Sequence, residues 1–178
     1  MKPRRIFDIA FVGLKEGLHR FSYDIDDQFF VNYAAPDFTE AHLHVELEFD
    51  KSSSFFLLKF EITGSVAAIC DRCGDPLHLN IWDEFKLAVK LVEDPASLPA
   101  DEDPDVAYIS KTESLLNVAD WIYEFSLLSV PMQRVHPADS TGQSTCNKEV
   151  LRILGEMQAR TETEINPIWK DLDKFKNN

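Results

Sequence analysis

The sequence predicts an α+β fold, in which a curved antiparallel sheet fills the N-terminal two thirds and C-terminal helices pack on it. Two patterns lead to this prediction. Apolar and polar residues alternate with the period of a half-buried strand in several segments up to about residue 110. Beyond that point, apolar residues recur at the three- and four-residue spacing of a helix. With 178 residues, 44% of them hydrophobic, the chain can bury an ordinary core, so we expect a single domain over residues 1–178.

The strand predictions rest mainly on alternation. Residues 42–49 alternate polar and apolar side chains throughout, and the serines at 52–54 mark a turn that returns the chain as a hairpin. Asp26 or Asp27 can cap a short helix at 26–30. Strands are predicted at 5–11, 19–25, 42–49, 55–62, 66–70, 77–92 and 106–109.

The strongest helix signal covers residues 117–128. Asn117 or Ser114 can cap its first turn, and Pro131 prevents its continuation. Two more helices are predicted at 148–158 and 167–175. The apolar face of the helix predicted at 117–128 consists of Val118, Trp121, Ile122, Phe125 and Leu128.

The chain is strongly acidic, with a net charge of −13. This argues against a simple nucleic-acid binder, because such proteins neutralise phosphates with Lys and Arg. Residues 93–105 contain six acidic residues and three prolines and no basic residue, so we expect a mobile acidic loop there. Such a loop can attract a basic partner. Its candidate contact residues are Asp101, Glu102, Asp103 and Asp105.

The N-terminal residues 1–20 have the opposite charge, because five basic residues outnumber two acidic ones. A basic edge of this kind could contact RNA phosphates. Its candidate contact residues are Arg4, Arg5, Lys15 and Arg20.

Residues 70–76 read CDRCGDP, and this segment has three readings. A thioredoxin-like redox pair needs a helix to begin at the cysteines, and Gly74 and Pro76 argue against one. A zinc site needs four ligands, and Cys70, Cys73, Cys146 and His136 supply a chemically complete set, although its second half lacks knuckle spacing. The third reading, a plain turn at the sheet edge with two semi-buried thiols, is the one we expect. We therefore expect a chain that folds without a cofactor, with zinc as the open alternative.

Recognisable catalytic motifs are absent from the sequence. It contains no phosphate-binding glycine loop and no His-Glu-x-x-His zinc motif. We identify no catalytic residues and expect a non-enzymatic protein. No stretch reaches the length of a membrane span and no leader is recognisable, so we expect a cytoplasmic protein.

Four segments together resemble a known family, the YceD-like large ribosomal RNA subunit accumulation proteins. The cysteine segment EITGSVAAICDRCGDPLHLNIWDEFKL resembles the one in that family, and the helix WIYEFSLLSVPM follows in the family's order. The opening GLKEGLHRFSYDID and the terminal INPIWKDLDKFK are also similar. The resemblance extends over almost the whole chain.

The resemblance implies a bacterial cytoplasmic protein, or an organellar relative, that is needed for accumulation of large-subunit (23S) ribosomal RNA and has no known catalytic activity. Its partner would be a ribosomal protein or an assembly factor, or ribosomal RNA itself, with no membrane and no small-molecule substrate. Arg72 would contact phosphate or pair with an acidic neighbour. Glu124 would be a solvated helix residue, or a partly buried anchor for Arg72 or for a backbone donor. The family residues carried onto this chain are Cys70, Arg72, Cys73, Pro76, Glu124, Pro131 and Pro167.

One departure from the family concerns the cysteines. Many members have a second cysteine cluster near the C-terminus, where this chain has only Cys146. The departure weakens any family-wide metal hypothesis for this chain.

Overall fold

The computed structural model describes residues 4–95 and 105–163. Its contacts divide the chain into two compact units. Residues 1–68 and 78–132 form the first, which we call the sheet unit, and residues 69–77 and 133–178 form the second, the cysteine unit. The acidic segment predicted at 93–105 lies largely outside the described residues, as does the helix predicted at 167–175.

The described strands are β1 (Asp8–Ile9), β2 (Gly17–Asp26), β3 (Thr39–Lys51), β4 (Phe55–Ile69), β5 (Pro76–Val92), β6 (Val106–Ser110) and β7 (Leu116–Asn117). A five-stranded sheet with the order β2-β3-β4-β5-β6 dominates the fold, and β1 and β7 form a two-stranded sheet. The α+β prediction is confirmed.

The sheet is mixed, and the prediction of a wholly antiparallel sheet is wrong at one pair. Strand β6 runs parallel to β5, with Val106 opposite Ala88. Residues 93–105 separate these two strands, which is a longer connection than a tight hairpin uses. Antiparallel strands can be joined by a tight turn, whereas parallel strands need a longer connection of this kind.

The core lies on one face of the sheet, where the alternating side chains of β3 and β4 are buried. Helix α2 (Ala119–Leu128) contributes Phe125, whose ring stacks on Phe85 with centroids 4.5 Å apart and meets Phe60 edge-on at 5.1 Å. Such aromatic pairs add to the stabilisation from burial. The buried residues of the two strands are Ala41, Leu43, Val45, Leu47, Phe49, Phe56, Leu58, Phe60, Ile62, Val66 and Ala68.

The first helix, α1 (Asp27–Phe30), begins as predicted, with the side chain of Asp26 accepting a hydrogen bond from the backbone N–H of Gln28. The Asp27 carboxylate also accepts hydrogen bonds from the backbone N–H groups of Glu40 and Ala41. Glu40 has a positive φ of 52° beside the irregularity at the start of β3, so the carboxylate stabilises an unfavourable turn.

Three predictions in the sheet unit need correction. Residues 5–11 are not one strand, because the short β1 lies between 3-10 helices at Arg4–Phe7 and Phe11–Gly13. Helix α2 begins at Ala119, since Leu116–Asn117 pair with β1 instead. Leu128, predicted on the buried face of α2, is 66% exposed at the end of that helix.

The described part of the cysteine unit contains one helix, α3 (Lys148–Thr163), which confirms and extends the helix predicted at 148–158. The side chain of Asn147 accepts hydrogen bonds from the backbone N–H groups of Glu149 and Val150 at its first turn. Among the described helices, none is long and apolar enough to cross a bilayer.

Candidate metal centre

The CDRCGDP segment is the turn between β4 and β5, as the sequence predicts. The backbone N–H of Cys70 donates to the carbonyl oxygen of Asp75 at 2.9 Å, and the N–H of Gly74 donates to that of Cys70 at 2.9 Å. Gly74 has a φ of +76°, a conformation that favours glycine. These bonds close the turn around the two cysteines.

A second segment, beginning at residue 133, is tied to this turn by Asp71. The backbone N–H of Asp71 donates to the carbonyl oxygen of Arg134 at 2.7 Å, and the N–H of Arg134 donates to the Asp71 carboxylate at 2.6 Å. The side-chain amide of Asn147 donates to the Asp75 carboxylate at 3.1 Å. His136 and Cys146 lie in sequence between Arg134 and Asn147. These hydrogen bonds therefore bring both residues to the turn.

The four candidate metal residues converge. The sulfur atoms of Cys70, Cys73 and Cys146 and a ring nitrogen of His136 all lie within 4.8 Å of one another. The Cys70 and Cys146 sulfurs are 3.8 Å apart, and the Cys73 sulfur is 3.5 Å from Nδ1 of His136. Three thiols and one imidazole form one of the usual donor sets of a tetrahedral structural zinc site.

The orientation of the His136 ring fits ligation through Nδ1. Its Nε2 lies 3.1 Å from the carbonyl oxygen of Pro76. A carbonyl oxygen can only accept a hydrogen bond, so this contact assigns the proton to Nε2 and leaves the lone pair of Nδ1 facing the thiols. A backbone carbonyl that fixes the ring in this way is a common partner of metal-bound histidines.

The electrostatics of the cluster favour a thiolate at Cys70. Burial acts to raise the pKa of Cys70, but hydrogen bonds from neighbouring backbone N–H groups, chiefly those of Cys73 and Arg72, lower it to about 6. The Ser144 hydroxyl similarly lowers the pKa of Cys146. The thiol of Cys70, followed by that of Cys146, raises the pKa of His136. The thiolate is the form of cysteine that binds a metal ion.

The cluster is also the interior of its unit. In the described part of the cysteine unit, the buried residues are the three cysteines and Leu77. The prediction of two semi-buried thiols in the turn is therefore wrong, because Cys70 and Cys73 are only 1% and 8% exposed. Cys146 is buried as well, at 3%. All three are free thiols. An interior made of metal-binding side chains holds a fold together best when a metal links them.

The redox reading does not fit this geometry. A reactive Cys-x-x-Cys pair of the thioredoxin kind has its thiol pKa lowered by the N-terminus of a helix that starts at the cysteines. Here β5 begins at Pro76, immediately after the turn. The turn therefore lacks the helix that would activate a redox pair.

The residues proposed for partner contact do not form one site. Arg72 is exposed and forms no side-chain hydrogen bond or ion pair among the described residues, since its neighbour Asp71 faces Arg134 instead. Glu124 is exposed on α2 and its carboxylate likewise has no partner in residues 4–95 and 105–163. Arg20 pairs with Glu48 at 2.8 Å.

The remaining predicted contact residues are mostly at the surface. Arg5 and Lys15 are exposed, as is Asp105, whose backbone carbonyl accepts a hydrogen bond from Ala88 at 2.8 Å. Arg4 begins a short 3-10 helix, and its side chain is not described. Asp101, Glu102 and Asp103 lie outside the described residues.

Sequence reasoning missed the contacts that assemble the centre. Asp71 and Arg134 connect its two halves, and the carbonyl of Pro76 orients its histidine. Only Asn147 left a recognisable signal, because an Asn before an apolar periodic segment is a helix cap.

The fold and this cluster together define an α+β protein with a candidate Cys3His metal centre. Comparison with protein families identifies it further: the family described as "Large ribosomal RNA subunit accumulation protein YceD" matches residues 58–176. The chain belongs to the YceD family. The match includes all four residues of the cluster. No curated protein and no solved structure matches the chain.

Proposed function

We propose that this chain is a non-enzymatic, cytoplasmic factor that supports accumulation of large-subunit ribosomal RNA by binding a basic ribosomal protein or a processing factor. The family to which it belongs is described by a role in large ribosomal RNA accumulation and not by a reaction. That description supports a role in the accumulation of large-subunit ribosomal RNA. The chemical nature of the partner is inferred from charge.

The distribution of charge is the observation that carries the proposal. The sheet unit contains 22 acidic and 10 basic residues, a net charge of −12, whereas 9 acidic and 8 basic residues leave the cysteine unit at −1. A surface of this sign repels RNA phosphates and speeds encounter with basic proteins. Ribosomal RNA would then accumulate because its protein partner is delivered or protected.

Direct RNA binding is less well supported. Of the proposed basic edge, Arg20 is already neutralised by Glu48. Arg5 and Lys15 are exposed but share their unit with a large excess of acidic residues. RNA contact therefore becomes one outcome of the experiment that tests the proposal.

The test uses the full chain immobilised on a surface. Purified total proteins of the large ribosomal subunit and, separately, naked 23S ribosomal RNA are passed over it across a salt series. We expect selective retention of basic proteins that weakens as salt rises, with no retention of RNA. Retention of RNA without any protein would contradict the proposal and favour the basic edge.

A second proposal concerns the cofactor: one zinc ion bound by Cys70, Cys73, Cys146 and His136. Convergence of all four donors in a buried cluster favours zinc over the plain turn that the sequence suggests. Four protein ligands complete a tetrahedral site and leave no position for a substrate, so the role of the ion would be structural. Structural zinc binding can contribute on the order of 10 kcal/mol, which would suit a unit with so few buried side chains.

Metal analysis of protein purified without chelators tests the cofactor. We expect one zinc per chain, released by a strong chelator together with a loss of ordered structure in the cysteine unit. Protein that is metal-free as purified and unchanged in structure on addition of zinc would contradict it.

A further inference from the structure

The face of the sheet opposite the core carries an apolar groove. Leu18 on β2 and Leu57 on β4 are 55% and 50% exposed, and both lie opposite Asp50 of the intervening strand β3. Across the sheet, the paired residues Ala88 and Val106 continue the groove, whose volume is about 500 Å³. The groove thus crosses the full width of the sheet unit's five-stranded sheet.

A row of charged residues borders the groove, and most of these charges are already paired. Glu48 accepts from Arg20 at 2.8 Å. Lys59 and Lys86 both contact Glu84, at 2.8 and 3.1 Å. Among the described residues, each cation of this border already contacts a carboxylate, and Lys59 and Lys86 share that of Glu84.

Asp50 differs from its neighbours. It lies between the two exposed leucines, and its carboxylate forms no hydrogen bond or ion pair with any described side chain. The groove therefore combines apolar side chains with a central carboxylate, in a unit of net charge −12. Exposed leucines scattered singly need no explanation, whereas apolar side chains gathered in one groove are typical of interaction surfaces.

We propose that this groove docks a polypeptide segment in which an apolar side chain lies next to Lys or Arg. The apolar side chain covers Leu18 and Leu57, and the adjacent cation pairs with Asp50. Apolar contact supplies most of the affinity and the carboxylate sets the register, as in other interfaces with an apolar centre and a polar rim. The proposal rests on the proposed function, because it names where the basic protein partner binds.

The test compares two labelled basic peptides by fluorescence anisotropy. One alternates lysines with leucines, and the other has every leucine replaced by serine, so both carry the same charge. The full chain is compared with Leu57→Glu and with Val31→Glu. Val31 is 78% exposed and lies in the same unit outside the groove, so the control adds the same negative charge elsewhere.

We expect the parent chain to bind the leucine peptide about tenfold more tightly than the serine peptide, the effect of burying part of a leucine side chain. Leu57→Glu should abolish this preference but should still bind the serine peptide. Val31→Glu should keep the preference. Asp50→Asn should weaken the binding of both peptides at low salt and should change the preference for the leucine peptide little.

Three outcomes would overturn the docking site. The first is a leucine preference that survives in Leu57→Glu. The second is a parent chain that does not distinguish the peptides although it retains basic ribosomal proteins, which leaves the proposed function intact. The third is a parent chain that binds neither peptide, together with a changed oligomeric state or thermal stability in Leu57→Glu. That result would show that a second copy or another part of this chain covers the groove. Failure to retain any basic protein would instead refute the proposed function.

Discussion

The Nε2 atom of His136 lies 3.1 Å from the carbonyl oxygen of Pro76, a bond that joins two positions 60 residues apart in sequence. It fixes which nitrogen can bind a metal. In the zinc-bound chain we expect long-range proton–nitrogen NMR spectra to show Nδ1 as the metal-bound atom and Nε2 as the protonated one. A spectrum with the two roles exchanged would contradict the assignment.

Cys70→Ser and Cys146→Ser should each remove the zinc and loosen the cysteine unit while the sheet unit stays folded. The reason is that the cysteine unit has little else buried, whereas the sheet unit has its own apolar core. Hydrogen exchange measured by mass spectrometry should accelerate in residues 69–77 and 133–163 and stay unchanged in β3 and β4. Ser126→Ala, a matched small change in the sheet unit, should leave the zinc content unaltered.

If the cysteine variants keep a full equivalent of zinc, the metal is bound elsewhere. If they lose zinc without any change in exchange, the ion has no structural role.

Gly64→Ala should destabilise the sheet unit by about 3 kcal/mol or more. Gly64 has a φ of +140°, and a Cβ there would lie 2.0 Å from the backbone oxygen of His42 on the neighbouring strand. Gly13→Ala is the control, because its Cβ would meet nothing within 4 Å. Urea unfolding of both variants checks this, and equal stability of the two would contradict it.

Glu84 should make stability depend on pH. Hydrogen bonds with Lys59 and then Lys86 lower the pKa of Glu84 in the folded chain. A lowered folded-state pKa means that the stabilisation is present above the unfolded pKa, about 4.3 for Glu, and is lost as pH falls through the folded value. The stability difference between the parent and Glu84→Gln should therefore shrink on acidification below about pH 4.

Urea midpoints across a pH series measure this difference. Glu16→Gln is a suitable control, because Glu16 is exposed and has no ion pair within the described residues. A difference that grows as the pH falls would contradict the prediction.

Neutralising Asp101, Glu102, Asp103 and Asp105 to Asn or Gln should leave the fold stable, since surface changes usually shift stability by about 0.5 kcal/mol or less each. The same changes should slow capture of basic ribosomal proteins at low salt, with the deficit shrinking as salt rises. Stopped-flow association rates measure this. Equal rates at low salt would show that the segment is only a linker.

Alternation predicted the sheet well because one of its faces is buried. The buried residues of β3 fall at every second position, as the sequence indicates for residues 42–49. Periodicity contains no information on the direction of β6, which depends on the connection before it. It also failed near the N-terminus, where β1 is only two residues long and too short to show a period.

The candidate metal centre was predictable in composition but not in geometry. The spacing of Cys70 and Cys73 suggests one half of a zinc site, whereas His136 and Cys146 are ten residues apart. Their convergence depends on backbone hydrogen bonds between Asp71 and Arg134, and such bonds leave no pattern in a sequence. The apolar groove was likewise hidden, because exposed leucines within a strand resemble ordinary surface residues.

The two halves of the centre are made at different times during translation. Cys73 and His136 are 63 residues apart, and the chain between them builds β5, β6 and α2 of the sheet unit. Because a ligand pair this distant must first overcome the entropy of closing a long loop, the early cysteines can capture only a loosely held ion. The four donors can therefore come together only after β5, β6 and α2 have been synthesised.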